Sequence, residues 1–274
     1  MYCTTDEAYA TTGITLSEIA EKNLGYFIKG AEAEVDRLTN MTYWKEEDSG
    51  TATSGAASTL TDSAASWTGN AYKKHYVWIT GGLGSGQIRK ISSNTTTALM
   101  VSAVWTTNPD STSTYEIYYT AQDPFISEEL RDGDDTIELM LNKYPLLLLE
   151  SVSSNSTTLT PSSVYQYKES GKLKLSSSSE VTTWTSASSL LNSFTYYYGV
   201  KLPYMAQRLT MVYAALKALM AQAGGTHNIP STYSLPEGSL IVGQAYINIR
   251  GAWDMLSKER DALEKTIVKY VSVY

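Results

Sequence analysis

The amino-acid sequence predicts an α+β fold that combines a helical bundle with two regions of β-structure. In one N-terminal and two C-terminal segments, apolar residues recur at steps of three and four, which places them on one face of a helix. Between these segments, aromatic and β-branched residues form short runs separated by Gly, Pro, Asn and Asp, as in antiparallel strands joined by turns. The composition also changes abruptly at Asp48, where Ser, Thr and Gly become abundant.

Three amphipathic helices are expected to form the bundle. The first lies within residues 13–44 and is entered through a capping box of Thr15 and Glu18. The second starts at Pro203, which suits the first helical turn because no backbone N–H is needed there, and the third covers roughly residues 240–270. The faces that we expect to bury one another are Ile19, Phe27, Val35 and Leu38 on the first helix and Leu209, Val212, Leu216 and Leu219 on the second.

The composition divides the chain into four parts. They are an N-terminal helical part, residues 1–48; an inserted β module, residues 49–120; a second, antiparallel β region, residues 121–202; and C-terminal helices with a tail, residues 203–274. The spacing of strands in the module is typical of a small barrel or sandwich. We also expect a loose segment around Cys3 and a connection without regular structure from Gly224 to Ser239.

Hairpins are the clearest local features of the two β regions. In the module, residues 76–80 and 87–91 read as strands joined by the Gly-rich run 81–86. A phosphate-binding loop would need a helix after such a run, so the strand-like residues that follow favour a turn over a nucleotide site. In the second region, residues 164–167 and 172–175 read as another hairpin.

Composition and charge exclude several classes of function. The chain has 274 residues and a formal net charge of −7, which argues against a sequence-independent nucleic-acid binder, since such a protein needs a basic surface. A single cysteine, Cys3, cannot supply a disulfide framework or a cysteine-based zinc site within one chain. No stretch approaches the roughly 20 apolar residues that cross a membrane, so we expect no membrane segment.

The residue types that carry catalysis are scattered along the sequence. His75 and His227 lie in different segments, and no nucleophile with an adjacent base is visible. Asp132, Asp134 and Asp135 could ligate a cation, but the spacing of a calcium loop is absent and a solvated turn is the simpler interpretation. We therefore expect no catalytic, cofactor-binding or metal site, and no enzymatic activity.

Aromatic residues in the module allow two interpretations. They could stack on a ligand such as a sugar, with Tyr76 and Trp78 as the candidate stacking residues, or alternation could turn most of them into a small core. The residues concerned are Trp67, Tyr72, Tyr76, Trp78, Trp105 and Tyr115.

With residues 49–120 set aside, the chain resembles the head–tail connector proteins of tailed bacteriophages, also called adaptor or head-completion proteins. The resemblance begins in the opening helix, from Ile19 to Trp44, and it depends on the order of the motifs that follow. These are Arg131 to Leu139, Tyr144-Pro145, Glu150-Ser151-Val152, Val164 to Tyr167, Gly171 to Leu175, and the Tyr-Gly-x-x-x-Pro helix start at 198–203. The module itself resembles β modules of phage structural proteins, through Trp67, residues 76–80, residues 84–89 and the pattern from Trp105 to Ile117.

The resemblance implies a structural virion protein without enzymatic activity. Such proteins form a ring of about twelve copies beneath the portal, contact the portal protein on one side and a stopper or tail-terminator protein on the other, and let DNA pass. It also implies a location at the virion neck, with assembly in the host cytoplasm. The uncharged, β-prone tail, Tyr270-Val271-Ser272-Val273-Tyr274, is the expected portal-binding segment, and it would pair with a strand of the partner. The simpler alternative is that the tail frays, as chain termini do, and binds nothing.

Two other functions compete with this expectation. The first is a carbohydrate- or host-surface-binding virion protein that uses residues 49–120 as its binding module. The second, which the scattered histidines make less favoured, is a hydrolase whose catalytic residues the sequence does not reveal.

Overall fold

The computed structural model describes residues 1–12, 20–186, 192–226, 232–235, 238–241 and 244–271. It has a mixed α+β fold with four helices and several sheets in the described residues, and none of these sheets closes into a barrel. The helices are α1 (Thr5–Thr12), α2 (Glu21–Thr39), α3 (Tyr204–Thr226) and α4 (Gln244–Val271). The chain forms two compact units, Met1–Asn40 with the described part of Leu202–Val273, and Met41–Lys201.

The strands of the second unit, in chain order, are β1 (Tyr43–Thr51), β2 (Ser54–Ala56), β3 (Thr59–Thr61), β4 (Tyr76–Gly81), β5 (Ile88–Asn94), β6 (Ala98–Val101), β7 (Thr114–Thr120), β8 (Phe125–Arg131), β9 (Glu138–Met140), β10 (Leu146–Ser154), β11 (Thr157–Leu159), β12 (Val164–Tyr167), β13 (Lys172–Leu175), β14 (Asn192–Tyr198) and β15 (Val200–Lys201). They form an eight-stranded sheet in the order β15-β1-β7-β4-β5-β6-β3-β2, a four-stranded sheet β11-β10-β14-β8 and a three-stranded sheet β12-β13-β9. The first unit adds a hairpin of β16 (Thr232–Leu235) and β17 (Gly238–Ile241).

The helices of the first unit share one apolar core. Leu24 and Ile28 of α2 lie in the same buried cluster as Leu216 and Leu219 of α3. Of the predicted face of the first helix, Phe27 packs against this cluster, whereas Val35 is buried outside it and Leu38 is half-buried. Leu256 of α4 belongs to the same cluster. Ile19 and the predicted capping box of Thr15 and Glu18 lie outside the described residues.

Charged side chains tie α3 to α4 beside this core. Arg208 makes a two-pronged contact with Glu259, with Nε and Nη2 at 2.7 and 3.1 Å from the two carboxylate oxygens. The Tyr213 hydroxyl donates to Glu264 Oε1 at 2.6 Å. Because a guanidinium matches a carboxylate in geometry, these contacts fix the register of the two helices as well as their distance.

The expectation of a loose N-terminal segment is wrong. Residues Thr4 and Glu7 form a reciprocal capping box, in which the Glu7 N–H donates to Thr4 Oγ1 at 3.1 Å and the Thr4 N–H donates to Glu7 Oε2 at 2.7 Å. This box starts α1, which the sequence analysis missed. Cys3 is fully buried, and the Tyr2 hydroxyl donates to Asp36 of α2 at 2.8 Å.

The first predicted helix also ends earlier than expected at its C-terminus. It stops at Thr39, where Asn40 adopts a left-handed conformation with φ 51° and its N–H donates to Asp36 O. Asn tolerates this conformation better than most residues and commonly ends helices. The chain then enters β1 at Tyr43, so residues 43–44 are strand and the proposed boundary at residue 48 falls inside β1.

Most predicted strands in the two β regions are present. Residues 76–81 and 88–94 form β4 and β5, and the register Val164↔Leu175 confirms the hairpin of β12 and β13. Other strands were not predicted, among them β1, β8 and the hairpin of β16 and β17, which lies in the connection expected to be irregular.

Besides an aromatic cluster around Trp44, two apolar cores of the described residues support the strands of the second unit. One contains side chains of both the four-stranded and three-stranded sheets, including Leu149, Phe194 and Leu173, with Trp184 completely buried among them. The other lies within residues 52–117 and includes Leu60, Val77 and Leu99. The alternation of side chains along the strands thus buries many of the module's large apolar side chains in this core.

Replacing Leu216 by alanine tests the helical core directly. Leu216 is buried in the cluster shared by α2, α3 and α4, so we expect the Leu216→Ala variant to lose about 2–5 kcal/mol of unfolding free energy in urea, through lost transfer energy and the cavity left behind.

Met220, one turn further along α3 and 60 % exposed, supplies the matched control. We expect Met220→Ala to change the unfolding free energy by less than about 0.5 kcal/mol. Equal losses for both variants would contradict this assignment of the buried face.

Candidate functional site

A concave groove of about 750 Å³ opens on the second unit, at the start of the module. We call it the acidic groove; the side chains that define it are Glu47, Asp48, Asp62, Trp67, Tyr72 and Tyr115. Glu47 and Asp48 come from β1 and Tyr115 from β7. Asp62 follows β3, while Trp67 and Tyr72 lie on the connection from β3 to β4.

A β-bulge places two neighbouring carboxylates in the same groove. Glu46 pairs with Tyr118 and Asp48 with Ile117, so Glu47 is an extra residue in β1. Adjacent side chains on a regular strand point to opposite faces. The bulge breaks this alternation, which explains how both Glu47 and Asp48 line the groove.

Hydrogen bonds from aromatic side chains hold Asp48 in place. Its Oδ2 accepts from Trp67 Nε1 at 2.7 Å and from the Tyr72 hydroxyl at 3.3 Å, while Oδ1 accepts from the Ser49 N–H at 2.8 Å. Trp67 meets Tyr72 edge to face, with ring centroids 6.0 Å apart. The Asp48 carboxylate and the side chains of Trp67 and Tyr72 therefore hold one another in position.

Asp62 is the more buried carboxylate, with 7 % of its surface exposed. Its Oδ2 accepts from the Tyr115 hydroxyl at 2.7 Å and its Oδ1 from the Ala64 N–H at 2.9 Å. Gly50 is required beside this pair, because a Cβ there would lie 2.6 Å from the Tyr115 hydroxyl and 2.8 Å from Asp62 Oδ2. Backbone, tyrosine and carboxylate are thus closely fitted at the floor of the groove.

The groove is negatively charged. Its lining contains three carboxylates and no Lys, Arg or His side chain among the described residues. Lys45 lies 3.6 Å from Glu47 and partly offsets its charge. Burial, together with the Asp48 carboxylate, raises the pKa of Tyr72 to about 12. Burial and Asp62 likewise raise the pKa of Tyr115.

Tyr76 and Trp78, the predicted stacking residues, lie elsewhere. Tyr76 is 2 % exposed, and its hydroxyl donates to Asp123 Oδ1 at 2.5 Å. Trp78 is half-buried, with its ring centroid 6.5 Å from that of Trp44. Both rings belong to an aromatic cluster around Trp44, so Tyr76 does not present a ring face to solvent.

A smaller groove of about 480 Å³ surrounds an ion pair. Arg89 Nη1 lies 2.6 Å from Glu150 Oε1, and the same guanidinium donates to Val104 O at 3.0 Å and to Thr106 Oγ1 at 3.2 Å. The central carbon of the Arg89 guanidinium lies 5.8 Å from the centroid of the Trp105 ring. Because the donors of Arg89 are used internally, this pair joins β5 to β10 and is not available to a ligand.

Two further features singled out in the sequence, the Gly-rich run 81–86 and His75, occupy positions that the fold itself explains. The Gly-rich run forms the β4–β5 turn, where Gly82 has φ 71° and a Cβ would lie 2.0 Å from Thr112 O. His75 lies between the rings of Tyr72 and Tyr119, and burial lowers its pKa.

The acidic turn of Asp132, Asp134 and Asp135 is held by the backbone around it. Asp134 and Asp135 occupy a turn with positive φ, and Asp135 Oδ1 accepts from the Ser186 N–H at 2.9 Å. No group of three or more His, Cys, Asp or Glu side chains in the described residues is arranged to hold a metal ion. His227 lies outside those residues.

The predicted portal-binding tail is described only in part. Tyr270 and Val271 are the last residues of α4, so the backbone there is helical where the sequence suggested β-structure. Ser272, Val273 and Tyr274 lie outside the described residues.

Sequence reasoning identified the aromatic members of the acidic groove but not its carboxylates. Trp67, Tyr72 and Tyr115 were candidates, whereas Asp48 served only to mark a change in composition and Asp62 was not considered. A signal did exist, since Asp62-Ser63-Ala64 suits a turn in which an aspartate accepts from the N–H two residues on. The meeting of Asp48 with Trp67 depends on strand pairing and could not be read from spacing.

Comparisons with known proteins leave the family open. No protein-family model matches the chain, and no curated protein sequence matches it significantly. Within the described residues, none of the helices is both long and apolar enough to span a bilayer.

The electrostatics of the groove can be measured through Tyr72. Its raised pKa depends first on burial and then on Asp48, so we expect Asp48→Asn to lower the pKa of Tyr72 towards the ordinary value of 10.0. Titration of ¹³C-labelled tyrosine ring signals measures this shift. Since the folded protein holds the Tyr72 proton more tightly than the unfolded chain, its contribution to stability is complete below pH 10 and is lost as pH rises towards 12.

Glu128→Gln, at an exposed carboxylate on β8, is the control and should leave the Tyr72 titration unchanged. An unchanged Tyr72 pKa in Asp48→Asn would contradict the described contact.

Proposed function

We propose that this chain is a structural virion protein, a head–tail connector of a tailed bacteriophage. It forms a ring of about twelve copies beneath the portal, joins the capsid to the tail and lets DNA pass. It is not an enzyme. Its place is the virion neck, after assembly in the host cytoplasm, and its partners are further copies of itself, the portal protein and a stopper or tail-terminator protein.

The order of elements is the observation that carries this proposal. With residues 49–120 set aside, an opening helix, short strands, a hairpin, a strand and a Pro-initiated helix follow one another in the order of the connector proteins. The motifs of the resemblance coincide with these elements, as with α2, the β12–β13 hairpin and α3. We further propose that α2, α3 and α4 form the bundle of the connector and that residues 49–120 are an insert.

The independence of the helical core supports the insert. The cluster that holds α1, α2, α3 and α4 together contains residues of the first unit alone. The core of residues 52–117 likewise draws on residues of the module alone. Two such cores are what an insertion into a connector would produce, with the aromatic cluster around Trp44 joining the module to the strands that flank it.

An exposed sheet face supports assembly with other proteins. Tyr167, Lys172 and Met140 form one row across β12, β13 and β9, and Tyr165, Lys174 and Glu138 form the next. We call these residues the tyrosine face. Tyr165 and Tyr167 are 58 and 46 % exposed. Because large aromatic residues are enriched at protein interfaces, their exposure on one face supports a contact with another protein there.

The charge of the chain suits a channel through which DNA moves. A net charge of −7 disfavours tight contacts with phosphates, whereas a basic lining would hold the DNA. A ring built from such subunits would guide DNA without gripping it.

The tyrosine face gives the sharpest test of ring assembly. We assign this face to contacts between neighbouring copies, so Tyr165→Ser with Tyr167→Ser should abolish rings in electron micrographs of the purified protein. Because both side chains are exposed, circular dichroism and thermal unfolding should stay close to those of the unaltered protein.

Val104→Ser, at an exposed apolar residue outside the sheet, is the control and should leave rings intact. If the unaltered protein forms no ring at any concentration, with or without portal, the connector proposal fails. Rings that survive the double substitution would exclude only the assignment of this face.

Truncation of the C-terminal tail tests the proposed contact with the portal. We propose that Tyr270, Val271, Ser272, Val273 and Tyr274 bind the portal by extending from α4, where backbone hydrogen bonds to a partner strand give affinity. A chain truncated after Lys269 should fold and melt like the full-length protein yet fail to join portal-containing heads. Cosedimentation with heads and tail joining are the measurements, and a truncated chain that still joins heads would show that the tail is not required.

A second candidate function is a carbohydrate- or host-surface-binding virion protein that uses the module. The acidic groove favours ligand binding by this part of the chain, but its buried Trp67 and Tyr115 rings suit a host-surface partner better than a carbohydrate. The burial of Tyr76 weighs against the stacking residues first considered, so any ligand of the module would be sought at the groove.

A further inference from the structure

The acidic groove has a buried carboxylate without a counter-charge. Asp62 is 7 % exposed, lines the groove and pairs with no Lys or Arg among the described residues. Asp48 is likewise without a basic partner in the described residues. Buried carboxylates are normally paired with a cation, since taking a charge out of water is costly. The donors that these two carboxylates do have are neutral, so a positive group at the groove would meet negative charges that are not yet compensated.

The carboxylates retain acceptor capacity after their internal hydrogen bonds. An ionised carboxylate offers about four lone-pair sites. The described donors use two sites of Asp62, through the Tyr115 hydroxyl and the Ala64 N–H, and three of Asp48. Both groups are held in position by these donors, so a ligand would meet acceptors that are already ordered.

The walls of the groove favour a narrow apolar stem over a flat sugar ring. Trp67 and Tyr115 are 7 and 2 % exposed, so neither presents an open ring face for sugar stacking. Tyr72 is half-buried and lines the groove. Lys73 and Lys74 follow Tyr72 but are exposed and do not line the groove.

We propose that the acidic groove binds one organic cation, an alkyl guanidinium or alkyl ammonium group. Its charged head hydrogen-bonds to Asp48 and Asp62, and its stem packs against Tyr72. A metal ion fits less well, because the described residues offer no group of three or more ligating side chains arranged for one. The same chemistry is available from a free amine and from a Lys or Arg side chain of a protein. This inference concerns the module and does not rest on the connector proposal.

The test uses the full chain and the indole N–H signal of Trp67, which reports on Asp48 because Trp67 Nε1 donates to that carboxylate. The signal is assigned by its loss in Trp67→Phe. We expect n-butylguanidinium and n-butylammonium chloride to shift it saturably, with a dissociation constant on the order of 1 mM, and added salt to weaken the binding. Butanol and sodium butyrate, which match the stem but lack the positive charge, should give no saturable shift.

Two variants test the site from opposite directions. Asp62→Asn should weaken binding of n-butylguanidinium by at least about tenfold. Ala71→Lys places an ammonium group at an exposed position on the groove's own lining, so it should block the probe while the fold stays intact. Glu128→Gln and Ser102→Lys, at exposed positions outside the lining, should bind the probe like the unaltered protein.

Peptide probes then separate the two sources of the cation. A neutral peptide with one central arginine that binds at least about tenfold more tightly than n-butylguanidinium would assign the groove to a protein partner, and equal or weaker binding would assign it to a free amine. The proposal is overturned if butanol shifts the Trp67 signal as strongly as the cations do. It is also overturned if Ala71→Lys binds the probe undiminished, or if a neutral sugar or calcium chloride gives a saturable shift and the organic cations do not.

Discussion

The second unit depends on one tryptophan, Trp44, whose ring lies among the rings of Tyr76, Tyr118 and Tyr197 with centroids 5.5–6.3 Å apart. Its indole N–H donates to Tyr198 O at 2.9 Å. Gly199 makes this approach possible, because its φ is 118° and a Cβ there would lie 2.4 Å from Thr42 O. Large aromatic rings in tilted contact contribute more than their buried area alone, so this cluster binds the module to the strands that flank it in sequence.

The same strand connects the aromatic cluster to the acidic groove. β1 carries Trp44 near its start and Asp48 and Gly50 near its end, with the bulge at Glu47 between them. Pairing of β1 with β7 fixes where the strand lies, and the bulge then directs two carboxylates into one cavity. The groove is therefore built on a strand that pairs with β7 along its length, which suits a site that must keep its carboxylates ordered.

Pairs of tyrosine and carboxylate recur throughout the chain and account for its abundance of tyrosine. Tyr115 donates to Asp62, Tyr196 to Glu129 and Tyr213 to Glu264. Each pair buries a ring while satisfying its hydroxyl, and in each the pKa of the tyrosine is raised, first by burial and then by the neighbouring carboxylate. An acidic protein with few phenylalanines can build its cores in this way, because the carboxylates become partners for buried hydroxyls.

Periodicity in the sequence was enough to predict the amphipathic helices beginning near Pro203 and in the C-terminal segment, and the hairpins of β4–β5 and β12–β13, because these elements are encoded by neighbours in the chain. It failed at β1, whose residues up to Asp48 were assigned to the N-terminal helical part and form a strand because β7 supplies their hydrogen bonds. The acidic groove could not be predicted for the same reason, since Asp48 and Trp67 are 19 residues apart and meet only when the sheet forms. Local spacing determines helices, turns and hairpins, whereas long-range strand pairing decides which charges share a cavity.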